Sequence, residues 1–343
     1  MFKGLDSIKS DLRGMRMSSL DTIIWLVTGK CNLACKHCYA SMYKNERDLP
    51  LEAVKKVISE ASEIGVRHIH YTGGEPLSRK DIDAILAYTL DNGIRTSIFS
   101  NLILISESFV KKLARWNVKI YTSVDAPSKD VFEKIRGEGT WNKMLNGLML
   151  LLEAGIEPHV NITISEVNWP YIGETISFLL SKGIESISLI PAMPVGRALE
   201  NDIYVRAEHF KLAVLQALEI AREQGIVVPI WCAPFIGIIT EEPYFSYRNC
   251  RDWNVMDITP SGRIVLCDVL NIEITNLREN GLGEAYQSLI THPLYKKAIK
   301  PQLKGPCKTC SIRNECRGGC YARAFLIRGD LNAPDPLCPK ARG

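Results

Sequence analysis

Short runs of β-branched residues alternate with longer amphipathic stretches between residues 23 and 225. This alternation is typical of strand–helix units built around a parallel sheet. The chain contains six such units. The predicted strands are Ile23–Thr28, Arg67–Thr72, Thr96–Ser100, Lys119–Val124, His159–Thr163 and Ser186–Ile190. The predicted helices are Leu51–Ile64, Lys80–Asn92, Glu107–Trp116, Trp141–Ala154, Pro170–Lys182 and Ala207–Gln224.

Six units are too few for a complete eight-stranded barrel, so the pattern favours an open partial barrel or a doubly wound sheet. Either α/β fold places chemistry in the loops at the carboxyl ends of the strands. The periodicity fades around Pro191–Ala198, which either lines a cavity or forms a rigid linker, and again past Gly225. We therefore predict an N-terminal extension at 1–20, a barrel at 21–227 and a second domain at 228–343.

Composition and charge narrow the class of protein. A chain of 343 residues exceeds the roughly 250–300 at which one hydrophobic core stops growing, which favours two domains. The net charge of +4 gives no electrostatic argument for nucleic acid or an anionic membrane as partner. No apolar stretch approaches the ~20 residues of a membrane span. We expect a cytoplasmic protein with neither partner.

Eleven cysteines are unevenly distributed along the chain. Three follow the first predicted strand, at Cys31, Cys35 and Cys38. The other eight lie in the C-terminal third: Cys232, Cys250, Cys267, Cys307, Cys310, Cys316, Cys320 and Cys338. This content is too low for a disulfide scaffold by composition. In a reducing compartment such clusters indicate metal sites.

The first three cysteines form a CxxxCxxC arrangement in a loop. Three thiolates can hold one metal ion or three corners of an iron–sulfur cluster, and they leave one position open. A structural zinc site would normally be closed by a fourth ligand, for which His37 is the candidate. The open position favours a catalytic site, because a reacting metal needs room for its ligand.

This loop resembles the signature of the radical SAM superfamily, in which it follows the first strand of a partial (β/α)6 barrel. The segment Gly73, Gly74, Glu75 and Pro76 after the second strand is similar to the family's GGEP segment. The resemblance implies a [4Fe–4S] cluster on the three cysteines and S-adenosylmethionine held at the GGEP segment by its amino group. It also implies cofactor contacts from polar residues at or near strand ends, which ordinary capping would equally explain: Ser100, Asn101, Ser123, Asp125, Arg136 and Asn161.

The spacing of the C-terminal cysteines resembles the SPASM extension, which carries two auxiliary clusters in some members of the superfamily. That resemblance assigns a nearer cluster to Cys232, Cys250, Cys267 and Cys320, and a farther one to Cys307, Cys310, Cys316 and Cys338. All eleven cysteines are then used, provided that Cys232 supplies the ligand that the seven-cysteine motif lacks. A pair of zinc knuckles is the alternative, because four-cysteine zinc sites also use CxxC pairs.

The resemblance also implies a mechanism. A reduced cluster would cleave S-adenosylmethionine to a 5′-deoxyadenosyl radical, which abstracts hydrogen from a substrate carbon. Asp268 resembles the catalytic aspartate of sulfatase-maturing relatives, although an acid beside Cys267 could equally be a hydrogen-bond partner of that ligand. Electrons would come from a reductase, a ferredoxin or a flavodoxin.

Three functions fit these motifs. The first is oxidative modification of a peptide or protein side chain by a radical SAM oxidoreductase or maturase. The second is oxidation or decarboxylation of a cofactor precursor such as a tetrapyrrole. The third is a non-catalytic iron–sulfur electron-transfer or zinc-binding protein, against which the GGEP segment argues. Fold and motif do not choose between the first two.

Overall fold

The computed structural model describes residues 20–341. All six predicted strands are present, with ends shifted by at most one residue: β1 (Thr22–Thr28), β2 (His68–Gly73), β3 (Arg95–Phe99), β4 (Lys119–Ser123), β5 (His159–Ile164) and β6 (Ile187–Pro191). The predicted extension at 1–20 lies outside the described residues except for Leu20. Within residues 20–341, no helix is both long and apolar enough to cross a bilayer.

The six predicted helices are also confirmed, and two shorter helices join them, one after β4 and one after β6. The set over this region is α1 (Leu51–Glu63), α2 (Ile82–Asp91), α3 (Glu107–Trp116), α4 (Lys129–Arg136), α5 (Trp141–Glu153), α6 (Ile172–Ser181), α7 (Arg197–Glu200) and α8 (Ala207–Gln224). Their ends follow local chemistry. The Ser106 hydroxyl caps α3 by accepting from the Phe109 N–H, and Asn117 ends it in the left-handed conformation at φ 51°.

The C-terminal third contains short elements: β7 (Val228–Pro229), β8 (Phe245–Ser246), β9 (Val255–Ile258), β10 (Arg263–Val265), β11 (Glu273–Asn276), α9 (Leu282–Thr291), α10 (Pro293–Ile299), α11 (Arg313–Cys316) and α12 (Tyr321–Arg328). The sequence did not predict them. The strands and α11 have only two to four residues, which is too brief for hydrophobic periodicity to register, whereas α9, α10 and α12 have seven to ten residues and were simply missed.

One sheet runs through both halves of the chain. Its strand order is β11-β10-β9-β1-β2-β3-β4-β5-β6, and β1 to β6 are parallel neighbours. The predicted partial (β/α)6 barrel is therefore confirmed. The finding that sequence analysis missed is that β9 pairs in parallel with the free edge of β1, from Thr22 opposite Val255 to Trp25 opposite Ile258.

The two faces of the barrel sheet differ in chemistry. Tyr71 is fully buried and its hydroxyl lies 2.6 Å from Thr89 Oγ1 on α2, so this side of β2 faces the helices. Ile98, Ile120 and Val160 are buried on the same outer side. The alternate residues, which include His70, are half-buried and face the inside of the barrel, hereafter the lumen.

Three of the lumen residues are histidines that resist protonation. Burial lowers the pKa of His68 to about 4, with Arg95 and Lys119 adding repulsion. Burial likewise lowers the pKa of His70 to about 3 and of His159 to about 4. All three imidazoles are therefore neutral at pH 7.

Acid is expected to destabilise the protein through these histidines. In the unfolded chain the pKa of each histidine is near 6.5, and in the folded chain it is lower. The folded state is therefore favoured above pH 6.5, and this contribution to stability is lost as the pH falls towards the folded-state pKa values. The melting temperature should fall between pH 7 and about 5, and the fall should be smaller in a variant combining His68→Asn, His70→Asn and His159→Asn. The control is His292→Asn, which keeps the cap of α10. An equal fall in melting temperature for the wild type and the triple variant would show that other groups cause the acid sensitivity.

Candidate active site

The first cysteine loop follows β1 at the carboxyl end of the sheet and is fixed by contacts from three directions. Lys36 donates its N–H to the Ile135 carbonyl at 2.8 Å. Arg197 donates its Nε to the Cys35 carbonyl at 2.9 Å and its backbone N–H to the Cys38 carbonyl at 3.1 Å. The Thr28 hydroxyl donates to Asp48. The loop therefore holds its shape through the protein's own hydrogen bonds.

A buried charge network joins this loop to the end of β4. Asp125 Oδ2 lies 2.8 Å from His37 Nε2 and 2.6 Å from Arg136 Nε, and Oδ1 accepts from the Thr163 N–H at 2.9 Å. Burial alone would raise the pKa of Asp125, but Arg136 and His37 outweigh it and hold that pKa below its usual range. Asp125 and Arg136, predicted from the resemblance as cofactor contacts, thus bind each other and the cysteine loop.

The GGEP segment packs directly on the backbone of the cysteine loop. Gly74 donates its N–H to the Thr28 carbonyl and Glu75 donates its N–H to the Lys30 carbonyl, at 2.8 and 2.7 Å. A Cβ on Gly74 would lie 2.0 Å from the Lys30 carbonyl oxygen, and Gly73 has φ 126°. The two glycines therefore permit the close approach of the two loops.

Glu75 links the GGEP segment to the end of β3. Its carboxylate accepts from the Ser100 hydroxyl at 2.9 Å, from the Asn101 N–H at 2.8 Å and from the Leu77 N–H at 3.0 Å. Burial raises the pKa of Glu75 to about 7, against these hydrogen bonds. The Asn101 amide also donates to Asn32 Oδ1 at 2.8 Å. Ser100 and Asn101, which the resemblance predicts as cofactor contacts, thus lie within this loop cluster.

Ser123 and Asn161 lie farther round the barrel. They are opposite each other in the β4–β5 register, and Asn161 Oδ1 accepts from the Ser188 hydroxyl at 3.0 Å. Both are half-buried and face the lumen. Among the described residues, neither side chain hydrogen-bonds to a cysteine of the first loop.

The C-terminal cysteines form two spatial groups. In the first, the Cys232 thiol hydrogen-bonds to Cys320 and lies within electrostatic range of Cys250. Cys267 also lies within electrostatic range of Cys320, and burial raises the pKa of Cys267. Arg323 supports this group: it pairs with Asp335 at 2.7 Å and donates to the Cys232 carbonyl at 2.7 Å.

The second group lines one pocket. Four thiols face it, together with apolar side chains that include Phe235, Ile238 and Ile312; the thiols are those of Cys307, Cys310, Cys316 and Cys338. Burial raises the pKa of Cys307 to about 11 and of Cys316 to about 12. These are the two sets that the resemblance to the SPASM extension predicted.

The cysteine geometry fits iron–sulfur clusters better than single zinc ions. All eleven thiols are free of disulfides. Tetrahedral zinc with Zn–S bonds of ~2.3 Å brings its sulfurs to about 3.8 Å from one another. Among residues 20–341, however, the one set of three donor side chains with ligand atoms all within 4.8 Å is Asp257, Cys267 and Asp268. Thiols spread more widely suit the separate corners of a four-iron cube.

Asp268 lies where the two halves of the site meet. Its Oδ2 accepts from the Tyr39 hydroxyl at 2.6 Å, and its carbonyl accepts from Tyr43. Tyr39 directly follows Cys38, and Asp268 directly follows Cys267. Burial raises the pKa of Asp268, and the Tyr39 hydrogen bond opposes that shift. The side chain that sequence analysis nominated as a base therefore joins the first cysteine loop to the auxiliary group.

Sequence analysis missed Gly196 and Arg197. Gly196 has φ 56°, and a Cβ there would lie 2.8 Å from the Cys38 carbonyl oxygen. Both residues fall in or beside the segment left open as a cavity wall or a linker, and the structure shows that they pack on the cysteine loop. A glycine in a non-periodic stretch is the only sequence signal here, and it does not predict a contact with a loop some 160 residues away.

Comparison with known proteins identifies the superfamily. The sequence profile of the radical SAM superfamily matches residues 25–179, which include the cysteine loop and the GGEP segment. Residues 25–179 are thus a radical SAM domain. It is 26% identical over 338 residues to an AdoMet-dependent heme synthase of Oleidesulfovibrio alaskensis, covering 92% of this chain and 86% of that one. It is 25% identical to a PqqA peptide cyclase of Methylocella silvestris, covering 91% and 85%.

The fold comparison agrees. The crystal structure of Streptococcus suis SuiB bound to S-adenosylmethionine superposes with a TM-score of 0.72 at 18% identity, covering 97% of this chain and 81% of that one. The chain thus has the fold of the SPASM-type radical SAM proteins. Its radical SAM domain indicates an enzyme that uses a [4Fe–4S] cluster and S-adenosylmethionine.

Replacing the buried carboxylate should loosen the cysteine loop. Asp125→Asn leaves the Arg136 charge buried without its partner, so the free energy of unfolding should fall by about 3 kcal/mol. Urea denaturation measures this change, and iron analysis should find about four iron fewer per chain. The matched control is Asp130→Asn, an exposed acid on α4. Unchanged stability and iron content in Asp125→Asn would contradict the role assigned to the network.

Proposed function

We propose that this radical SAM enzyme abstracts hydrogen from, and oxidatively modifies, a peptide or protein side chain. The observation that carries the proposal is the junction of the three-cysteine loop, the GGEP segment and Asp268 at the carboxyl end of the barrel. A cluster position left open by three cysteines, a buried carboxylate at Glu75 and a buried acid at Asp268 are the parts that such a reaction needs. Similarity to a PqqA peptide cyclase supports a peptide substrate.

The ligand sets follow the three spatial groups of cysteines. Cys31, Cys35 and Cys38 would hold the cluster that binds S-adenosylmethionine. Together, the bound cluster and S-adenosylmethionine would supply the radical that abstracts a hydrogen atom. The two auxiliary sets are those of the C-terminal groups described above. Buried thiols must lose their protons to bind iron, so cluster assembly releases protons.

The residues around the first loop have separate tasks. The Glu75 carboxylate and the backbone of Gly73 and Gly74 would receive the cofactor's amino group, because a buried carboxylate attracts an ammonium. Ser100 and Asn101 hold Glu75 in place. Ser123 and Asn161 offer hydroxyl and amide groups to the cofactor or substrate from the lumen side.

Asp268 would accept the proton that leaves the substrate after hydrogen abstraction. Burial raises its pKa, which suits a group that must take up a proton, and Tyr39 orients Oδ2. An iron–sulfur cluster held by Cys267 and its neighbouring cysteines would supply an electron acceptor beside this base. The external electron donor would be a reductase, a ferredoxin or a flavodoxin, and a cytoplasmic location suits eleven unpaired cysteines.

A second candidate is oxidation or decarboxylation of a tetrapyrrole precursor. The similarity to a heme synthase over 92% of this chain favours it. The deciding experiment incubates the reconstituted enzyme, S-adenosylmethionine and reductant with peptides encoded beside its gene, or with tetrapyrroles bearing propionate groups. Loss of two hydrogens from a peptide supports the first function, and release of carbon dioxide from a tetrapyrrole supports the second. Neither product from any substrate would count against both.

Iron content should report the three clusters. Anaerobic reconstitution is expected to give about twelve iron and twelve sulfide per chain. A variant with Cys31, Cys35 and Cys38 all changed to Ala should hold about eight of each and form no 5′-deoxyadenosine. The matched control changes Cys307, Cys310 and Cys316 to Ala, which should also lose about four iron yet retain 5′-deoxyadenosine formation. Zinc in place of iron would overturn the cluster assignment.

Asp268→Asn should separate proton transfer from cofactor cleavage. The amide keeps an acceptor for the Tyr39 hydroxyl but cannot take a proton, so product formation should fall about a hundredfold more than 5′-deoxyadenosine formation. Both are measured by mass spectrometry on the substrate found above. Glu279→Gln, an exposed acid of the same half of the chain, is the control. Parallel losses of the two products would contradict a role as base.

A further inference from the structure

A continuous row of rings lines one wall of the lumen. His68 stacks on His70 with centroids 4.1 Å apart, and His70 meets Tyr121 edge-on at 6.2 Å. Tyr121 stacks on Phe99 at 4.6 Å and contacts His159 at 4.9 Å. We call these residues, together with Trp231, the ring wall.

Trp231 closes the far end of the ring wall. Its ring is nearly parallel to that of His159, with an angle of 5° between their planes. The Trp231 backbone N–H donates to the Leu189 carbonyl on β6 at 2.8 Å, which anchors this segment of the chain on the barrel. The ring wall therefore spans from β2 to the segment that precedes Cys232.

The ring wall is accessible and uncharged. All its members are half-buried, whereas their sequence neighbours Ile69, Ile98, Ile120 and Val160 are buried against the helices. Serine hydroxyls hydrogen-bond to the imidazole nitrogens: Ser97 to His70, and Ser186 and Ser188 to His159. The faces of the rings are thus held in place while solvent reaches them.

Cationic side chains border the ring wall at the amino ends of the strands. Arg95 pairs with His68 in the β2–β3 register, and Lys119 pairs with Ser97 in the β3–β4 register. Both are exposed, and neither has an acidic partner within 4.0 Å among residues 20–341. The nearby Glu157 carboxylate already accepts from the Glu185 and Ser186 N–H groups.

We propose that the lumen binds a planar aromatic group bearing a carboxylate, with its ring against the ring wall and its carboxylate at Arg95 and Lys119. Flat rings stack favourably on one another, and free cations at the rim attract an anion. The bound group would extend towards Ser123, Asn161 and the cofactor end of the barrel. This proposal rests on the proposed function, since it names the class of substrate for the same site.

An aromatic side chain in an acidic peptide and a propionate-bearing tetrapyrrole share this chemistry, so the test uses both. The probes are acetyl-Asp-Tyr-Asp and coproporphyrin, with acetyl-Asp-Leu-Asp as the ligand without a ring. Binding to the reconstituted holoenzyme is measured anaerobically by isothermal titration calorimetry at low salt. At least one aromatic probe should bind, and the leucine peptide should bind at least about threefold more weakly than its tyrosine counterpart if the peptide is the ligand.

The variants divide the ring contribution from the charge contribution. Tyr121→Leu should weaken binding about three- to tenfold, whereas Tyr121→Phe keeps the ring and should bind as wild type does. Tyr88→Leu, on the outer helix layer, is the matched control. The double variant Arg95→Gln with Lys119→Gln should weaken binding about tenfold, and this difference should shrink near 0.5 M salt. Arg115→Gln, an exposed arginine on α3, is its control.

The outcomes distinguish this proposal from the proposed function. Ring-dependent binding of the peptide or of the porphyrin supports the proposal and shows whether the aromatic ligand is a peptide side chain or a tetrapyrrole. Failure of both probes to bind, or binding that Tyr121→Leu and the charge variant leave unchanged, overturns it. Formation of 5′-deoxyadenosine is assayed separately. If no 5′-deoxyadenosine forms but ring-dependent binding is intact, the proposed function alone is refuted. If 5′-deoxyadenosine forms but no ring-dependent binding is found, the lumen proposal alone is refuted.

Discussion

The site depends on the pairing of β1 along both of its edges. One edge pairs with β2 and the other with β9, so the loops after β1 and β2 meet at the carboxyl end of the sheet, and the antiparallel β10 brings Cys267 back beside β9. β1 leads to the first cysteine loop, β2 to the GGEP segment, and β9 through β10 to Cys267 and Asp268. Chain segments more than 200 residues apart thereby form one site, and the hydrogen bonds of Tyr39 and Tyr43 to Asp268 join them directly.

Two buried ion pairs keep these loops in register. Asp125 with Arg136 supports the first loop, and Asp335 with Arg323 supports the auxiliary group. Asp335 also accepts from the Cys320 N–H at 2.8 Å, and a Cβ on Gly319 would lie 2.3 Å from the Asp335 Cβ. A buried pair adds little net stability, yet its loss is costly because one charge stays uncompensated. Such pairs hold a loop in one arrangement.

The barrel could be predicted from the sequence because its strands and helices are long enough for periodicity to show. The β9–β11 extension could not, because strands of three or four residues carry no such signal. At the site, residue types and spacing predicted the cysteine groups through a resemblance to a known family. The partners of Asp125, Arg197 and Arg323 could not be predicted, since each bonds to residues distant in sequence that only the folded chain brings close.

The central claim is that eleven cysteines hold three clusters in three separate sets. Anomalous diffraction at the iron edge, from anaerobic crystals of the reconstituted enzyme, tests it most directly. The account predicts three four-iron sites: one at the Cys31 loop with an open iron, one at Cys267 and Cys320, and one in the pocket at Cys307 and Cys338. Anomalous signal at fewer than three sites, or a zinc edge in place of iron, would contradict it.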